Sequence, residues 1–148
     1  MFKPMAWAVL VAAVLLPGAR AVVADSTRAG DFMIQYNAFS ADTLTPEIAA
    51  ANGIQRSKRV GVLNVSVIKD VAGTTGTALK ALVAVDLIDD KAGKGPLAMR
   101  EVEAQGAVSY LGQFPIADGQ EREFEIRVRP TGVPTTTTLR LHQEFFTD

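Results

Sequence analysis

Three runs decide the fold: Tyr36-Asn37-Ala38-Phe39, Thr45-Pro46-Glu47-Ile48-Ala49-Ala50-Ala51, and Gly53-Ile54-Gln55-Arg56-Ser57-Lys58-Arg59 leading into residues 60–68. They read as a strand, a short capped helix, a basic loop and a second strand. Thr45 suits the N-cap because its hydroxyl can accept a free backbone N–H of the first turn. Pro46 suits the first helical position, where a missing N–H costs nothing. Glu47 places negative charge at the positive end of the helix dipole. There is no capping box, since Ile48 stands where Glu or Gln would be needed. Gly53 can end the helix in a left-handed conformation. A helix of about two turns is marginal alone, so this one should form only if Leu44 and Ile48 dock on a sheet.

The strand at 60–68 carries Gly61, Leu63, Val65 and Val67 on one face and Val60, Val62, Asn64, Ser66 and Ile68 on the other. Being apolar on much of both faces, it belongs in the middle of a sheet. Working outward, 22–30 is a polar lead-in, and 31–39 aligns Phe32, Ile34, Tyr36 and Ala38. Further strands are predicted at 78–88, 97–102, 107–114, 123–129 and 135–146, separated by turns rich in Gly, Pro and Asp. In 123–129, Phe124, Ile126 and Val128 should point inward and Glu125, Arg127 and Arg129 outward. About seven short strands and one short helix predict an all-β fold, an immunoglobulin-like two-sheet β-sandwich. No strand is followed by a crossover helix, which argues against a parallel α/β sheet. Strands of an outer-membrane barrel need about ten alternating residues, and most here are shorter.

Residues 1–21 read as a secretory signal. Lys3 gives a positive start, and the uncharged apolar run from Met5 to Leu16 is too short to span a bilayer. Pro17-Gly18 breaks it, and Ala19-Arg20-Ala21 fits a small-x-small cleavage site, with cleavage up to residue 24 as the alternative. A retained membrane anchor is the competing reading. Residues 22–148 then form a single β-sandwich domain in the periplasm, and not an integral membrane protein. The chain has no cysteine, so lipidation and disulfides are closed to it. Its formal charge is −1; losing the signal removes Lys3 and Arg20 and no acid, leaving −3. A mildly acidic domain argues against a nucleic-acid partner.

Catalytic signatures are scarce. His142 is the only histidine, and strand parity puts it with Arg140 and Glu144 on the face opposite Leu141 and Phe145, a solvated position. A zinc site would have to combine it with carboxylates alone. Asp86, Asp89 and Asp90 are oxygen donors near a turn, but their spacing does not match an EF-hand loop. Neither glycine-rich segment matches a P-loop or a dinucleotide fingerprint. Asn64-Val65-Ser66 is a sequon inside a central strand. No cofactor, metal site or catalytic constellation is expected.

The basic loop is the candidate site. Arg56, Lys58 and Arg59, with Ser57 among them, put three cations between a helix end and a strand start, in an acidic domain. One use is structural, satisfying carbonyls at the helix end. The other is docking an acidic protein partner or a small carboxylate or phosphate ligand, for which the forked Arg56 guanidinium is suited.

The residues of the 36–67 stretch, with Tyr110-Leu111-Gly112-Gln113-Phe114 and the Gln143-Glu144-Phe145 ending, resemble a family of small secreted proteobacterial proteins classed as a domain of unknown function. The resemblance covers essentially residues 22–148 and implies no activity. The expected function is a non-enzymatic binding or protein-interaction module. A small-ligand carrier would need a cavity between the sheets, and a carboxylate-dependent hydrolase would need two carboxylates in a deep pocket. The first expected outcome concerns export: mass spectrometry of protein from a periplasmic fraction should find a chain lacking its first 21 to 24 residues. A full-length, membrane-retained chain would contradict it.

Overall fold

The computed structural model describes residues 25–89, 91–104 and 106–146. The predicted signal segment and Asp90 lie outside them. Along the chain run β1 (Asp25–Ala29), β2 (Phe32–Ser40), a 3-10 turn (Ala41–Thr43), α1 (Pro46–Ala51), β3 (Val60–Lys69) and β4 (Thr77–Leu79). There follow β5 (Ala81–Asp89), β6 (Gly93–Leu97), β7 (Arg100–Ala104), β8 (Ala107–Pro115), β9 (Gln120–Pro130) and β10 (Thr137–Phe145). They form two antiparallel sheets. The first has the order β1-β2-β3-β8-β7, with β4 pairing onto β3, and the second has the order β10-β9-β5-β6.

The sandwich follows from alternation. Ile34, Tyr36 and Ala38 of β2, Leu63, Val65 and Val67 of β3, and Val108, Tyr110 and Phe114 of β8 meet Val85, Phe124, Ile126, Val128, Leu139, Leu141 and Phe145 of the second sheet. Phe124, Ile126 and Val128 are fully buried, as their spacing requires. Each such side chain contributes about 1.5–3 kcal/mol on burial. Gly61 lies directly across from Phe114. A Cβ there would come within 2.4 Å of the Phe114 ring, so the glycine makes room for the aromatic that packs edge-on to Phe124 and Phe145.

β3 is central, with β2 on one side and β8 and β4 on the other. Its second face is covered too. Val62 packs there with Phe39, Ala41, Leu44, Ala49, Ile54 and Leu111, a second core beneath α1 and its flanking turns. Asn37 and Asn64 are also buried and sit directly opposite each other, Asn64 Nδ2 donating to Asn37 Oδ1 at 3.3 Å.

The structure has more strands than the alternation alone suggests, because two runs are divided where the chain changes sheets. The run at 78–88 breaks at Lys80: β4 belongs to the first sheet and β5 to the second. The corner is well supplied with partners. The Lys80 carbonyl accepts from Thr131 N and Thr131 Oγ1, both at 2.9 Å. Ala81 N donates to the Tyr110 hydroxyl at 2.8 Å, which itself donates to Glu101 at 3.0 Å. The run at 97–102 likewise divides at Ala98-Met99, passing from the second sheet to the first. This crossing packs on Gly112, where a Cβ would lie 2.5 Å from Met99 Sδ. The polar lead-in contributes β1, an edge strand with a largely exposed sequence.

Burial raises the Tyr110 pKa, and the bond to the Glu101 carboxylate raises it further, against the opposing effect of the Ala81 N–H. A folded-state pKa above the unfolded value means that the neutral hydroxyl stabilises the fold fully below pH about 10. That stability is lost as pH rises through the folded pKa. Tyr110→Phe should cost about 1–3 kcal/mol at neutral pH by stranding the Ala81 N–H. The stability of this variant should also fall less steeply than that of the wild type as pH rises above about 10 in urea unfolding. Parallel alkaline profiles would contradict this role for the hydroxyl.

Candidate functional site

The site is built from the helix outward. The Thr45 side chain accepts from Ile48 N at 3.2 Å, a cap contributing about 1 kcal/mol. Leu44 and Ala49 are buried against the sheet, while Ile48 is half-buried at the margin of the same cluster. Leu44 and Ile48 both dock as expected, with Ala49 buried more deeply than Ile48. Gly53 ends it at φ 67°. Ile54 N returns to Ala49 O at 2.8 Å, and the Ile54 side chain is buried beneath. Asn52 adds a side-chain bond to Ile48 O at 2.8 Å.

Arg100 was invisible to sequence reasoning. It comes from β7 and donates to the Asn52 carbonyl, bringing a cation to the negative end of α1. Its guanidinium lies where a Cβ at position 53 would come within 3.2 Å. Forty-eight residues separate Arg100 from Asn52, so only the fold brings them together.

The basic loop is pinned at both ends, by buried Ile54 and by Arg59 O, which accepts from Ile116 N at 2.9 Å. Between these points Arg56, Lys58 and Arg59 are exposed and Ser57 is half-buried. Arg56 donates to the Asp42 carbonyl at 3.0 Å, so one edge of its fork braces the 3-10 turn. The Asp42 carboxylate is taken by the Ser40 hydroxyl. Ser57 Oγ accepts from Arg59 N at 3.0 Å, closing a small local turn. None of the three cations makes an ion pair with a described residue.

The outer face of the second sheet is the contrast. Lys94 meets Glu125 at 2.6 Å, Arg127 meets Asp86 at 2.9 Å and Arg140 meets Glu123 at 2.7 Å. The Lys94 hydrogen bond, with the charges of Lys94, Arg140 and Arg127, holds the Glu125 carboxyl below its usual range. Positive charge there is locally neutralised; in the loop it is not.

The remaining candidates fall into structural roles. His142 is exposed, 3.2 Å from Glu121. Asp89 is lowered by the Ala92 and Lys91 N–H groups of its own turn, at 3.0 and 2.7 Å, with a smaller effect from Arg122. Arg122 faces inward beside Phe124 and ties Asp89, at 3.4 Å, to the Pro115 carbonyl, at 2.6 Å. Asn64 of the sequon is buried. Among the described residues no group of three or more His, Cys, Asp or Glu side chains is placed to hold a metal ion.

The chain belongs to the family described as a domain of unknown function, DUF4426, whose model matches residues 26–148. A crystal structure of a DUF4426 family protein from Pseudomonas aeruginosa PAO1 is 33% identical and superposes with a TM-score of 0.70, covering 84% of this chain and 96% of that one. FetP of uropathogenic Escherichia coli strain F11, recombinantly expressed in the periplasm, shares the fold at 9% identity, with a TM-score of 0.55 over 84% of this chain and 95% of that one. A copper-bound FetP variant gives 0.52 at 9% identity, covering 82% and 93%. No curated protein matches. No helix among the described residues is long and apolar enough to cross a membrane.

Proposed function

We propose that this protein is a non-enzymatic periplasmic binding module that docks an acidic partner, or a small carboxylate or phosphate ligand, on the loop from Arg56 to Arg59. One observation carries the reading: three exposed cations without an ion-pair partner among the described residues, on a loop fixed at both ends. Binding residues concentrate on loops held by a rigid scaffold. Unpaired positive potential on an acidic domain steers acidic partners. Arg56 spends one guanidinium nitrogen on Asp42 O, and the bond braces the side chain for a second, charged acceptor. The periplasmic assignment rests on the predicted signal segment.

The carrier reading has less support. Phe114 lies 5.0 Å from Phe124 and 5.6 Å from Phe145, ring centre to ring centre, and these rings fill one end of the space a ligand would need. The copper belongs to the FetP variant; among the described residues of this chain no group of three or more His, Cys, Asp or Glu side chains is placed to support a like reading. The hydrolase reading has less support too, since Asp86, Asp89 and Glu125 are each engaged by cations or by N–H groups of their own turn.

Calorimetric titration with a hexaglutamate peptide at low salt tests the site. Arg56→Ala should weaken binding by about 1.5–3 kcal/mol, the range for hydrogen bonds to charged groups, and wild-type binding should fade as salt is raised. Its unfolding free energy should fall by no more than about 0.5–1 kcal/mol, because the bond to Asp42 is exposed. A large loss of stability with unchanged titration would make Arg56 a strut and not a binding residue.

A further inference from the structure

Apart from the three-residue β4, which pairs only with β3, the two sheets have four lateral margins: β1 and β7 in the first, β10 and β6 in the second. Three are blunted in the usual ways. β1, β6 and β7 are each five residues long. β6 also carries Lys94 and Pro96, and β7 alternates charge through Arg100, Glu101 and Glu103. β10 differs. It runs nine residues, contains no Pro, Gly or Lys, and pairs with β9 along its whole length. Its other side meets no strand among the described residues, so it presents a row of backbone donors and acceptors, of which the Glu144 carbonyl already accepts from Gln143 Nε2 at 3.0 Å.

The neighbourhood of that margin limits what can fill it. β10 faces β2 across the core, and the first sheet continues past β2 as β1. Asp25, Thr27 and Ala29 lie opposite Tyr36, Ile34 and Phe32 and share their inward side. β1 therefore overhangs the place where one more strand would join β10. A second folded copy docked edge to edge would drive its own first sheet into β1. A single extended segment would not.

Charge narrows the occupant further. Outward along β10 stand Arg140, His142 and Glu144. Glu144 lies directly opposite Glu121, a like-charge pair that costs stability. Glu144 makes no ion pair with a described residue, whereas Arg140 reaches Glu123 and His142 reaches Glu121. A cation added beside Glu144 would relieve this end of the row.

We propose that the β10 margin receives an extended peptide segment as an added antiparallel strand. The segment carries a basic residue opposite Glu144, an acidic residue four positions on, opposite Arg140, and small or apolar residues at alternate positions under β1. Backbone bonds supply the affinity and the alternating side chains the selectivity. The proposal is separate from the basic-loop reading.

The test uses a capped nine-residue peptide of alternating valine and polar residues, with lysine second and glutamate sixth. A control peptide exchanges those two residues. Fluorescence anisotropy should show saturable binding of the first peptide, with hydrogen-exchange protection gained over 137–145. The control should bind about threefold to tenfold more weakly, the scale of one or two cross-strand charge pairs. Glu144→Lys should bring the two peptides to about equal affinity, because each then sets one residue opposite a like charge and one opposite an unlike charge. Arg56→Ala should leave all of this unchanged, which separates the two sites. Absence of binding, equal binding of both peptides to the unsubstituted protein, an unchanged preference in Glu144→Lys, or protection falling outside 137–145 would overturn the proposal. So would sedimentation showing a dimer of the chain alone with β10 protected, which would give the margin to a second copy.

Discussion

β3 is hydrophobic on two sides, and the architecture follows from having to bury both. Its inward row, Leu63, Val65 and Val67, requires a second sheet. Its outward Val62 requires a further cover, which Phe39, Leu44, Ala49 and Ile54 supply with the helix. At about 25 cal/mol per Å² of apolar surface removed from water, neither face could be left wet in a domain of this size. α1 is six residues long, too short to persist alone, so it exists because β3 needs a lid. The basic loop is the return path from that lid to β3. Its position is a by-product of the same constraint.

Much of this could be read from local pattern. Thr45, Pro46 and Gly53 carry the helix boundaries in their own chemistry, and the structure places the cap bond and the left-handed glycine where those residues stand. Phe124, Ile126 and Val128 show their burial by alternation alone. The features that were not legible are relations between distant residues. Nothing local in Ala78 to Ile88 signals that Lys80 turns a corner, because the corner is held by Tyr110 and Thr131. Arg122 falls one residue before the run predicted at 123–129, and reads as polar until the strand is seen to extend through it. Arg100 reaches the α1 terminus only through the pairing of β7 with β8.

The surfaces divide by how charge is compensated. On the second sheet, Lys94, Arg127 and Arg140 face Asp86, Glu123 and Glu125, and the cations there are largely compensated by neighbouring carboxylates. Around the C-terminal end of α1, Arg56 and Arg100 donate to backbone carbonyls, which keeps their charge uncancelled. Lys58 and Arg59 add to it. An arginine bonded to a carbonyl is both brace and bait, so the loop can be ordered before any partner arrives and lose little conformational entropy on binding. The fold shared with FetP at 9% identity sets the scaffold alone. The site must be argued from these side chains.

The dependence of the whole on β3 is open to native-state hydrogen exchange in low denaturant. Amides of Leu63 to Val65, in a stretch flanked by β2 and β8 and buried on both faces, should open only with global unfolding. Those of α1 should exchange through a smaller, local opening that leaves β3 protected. If β3 amides instead exchange by a partial opening while β9 and β10 stay closed, β3 is not the element on which the fold rests.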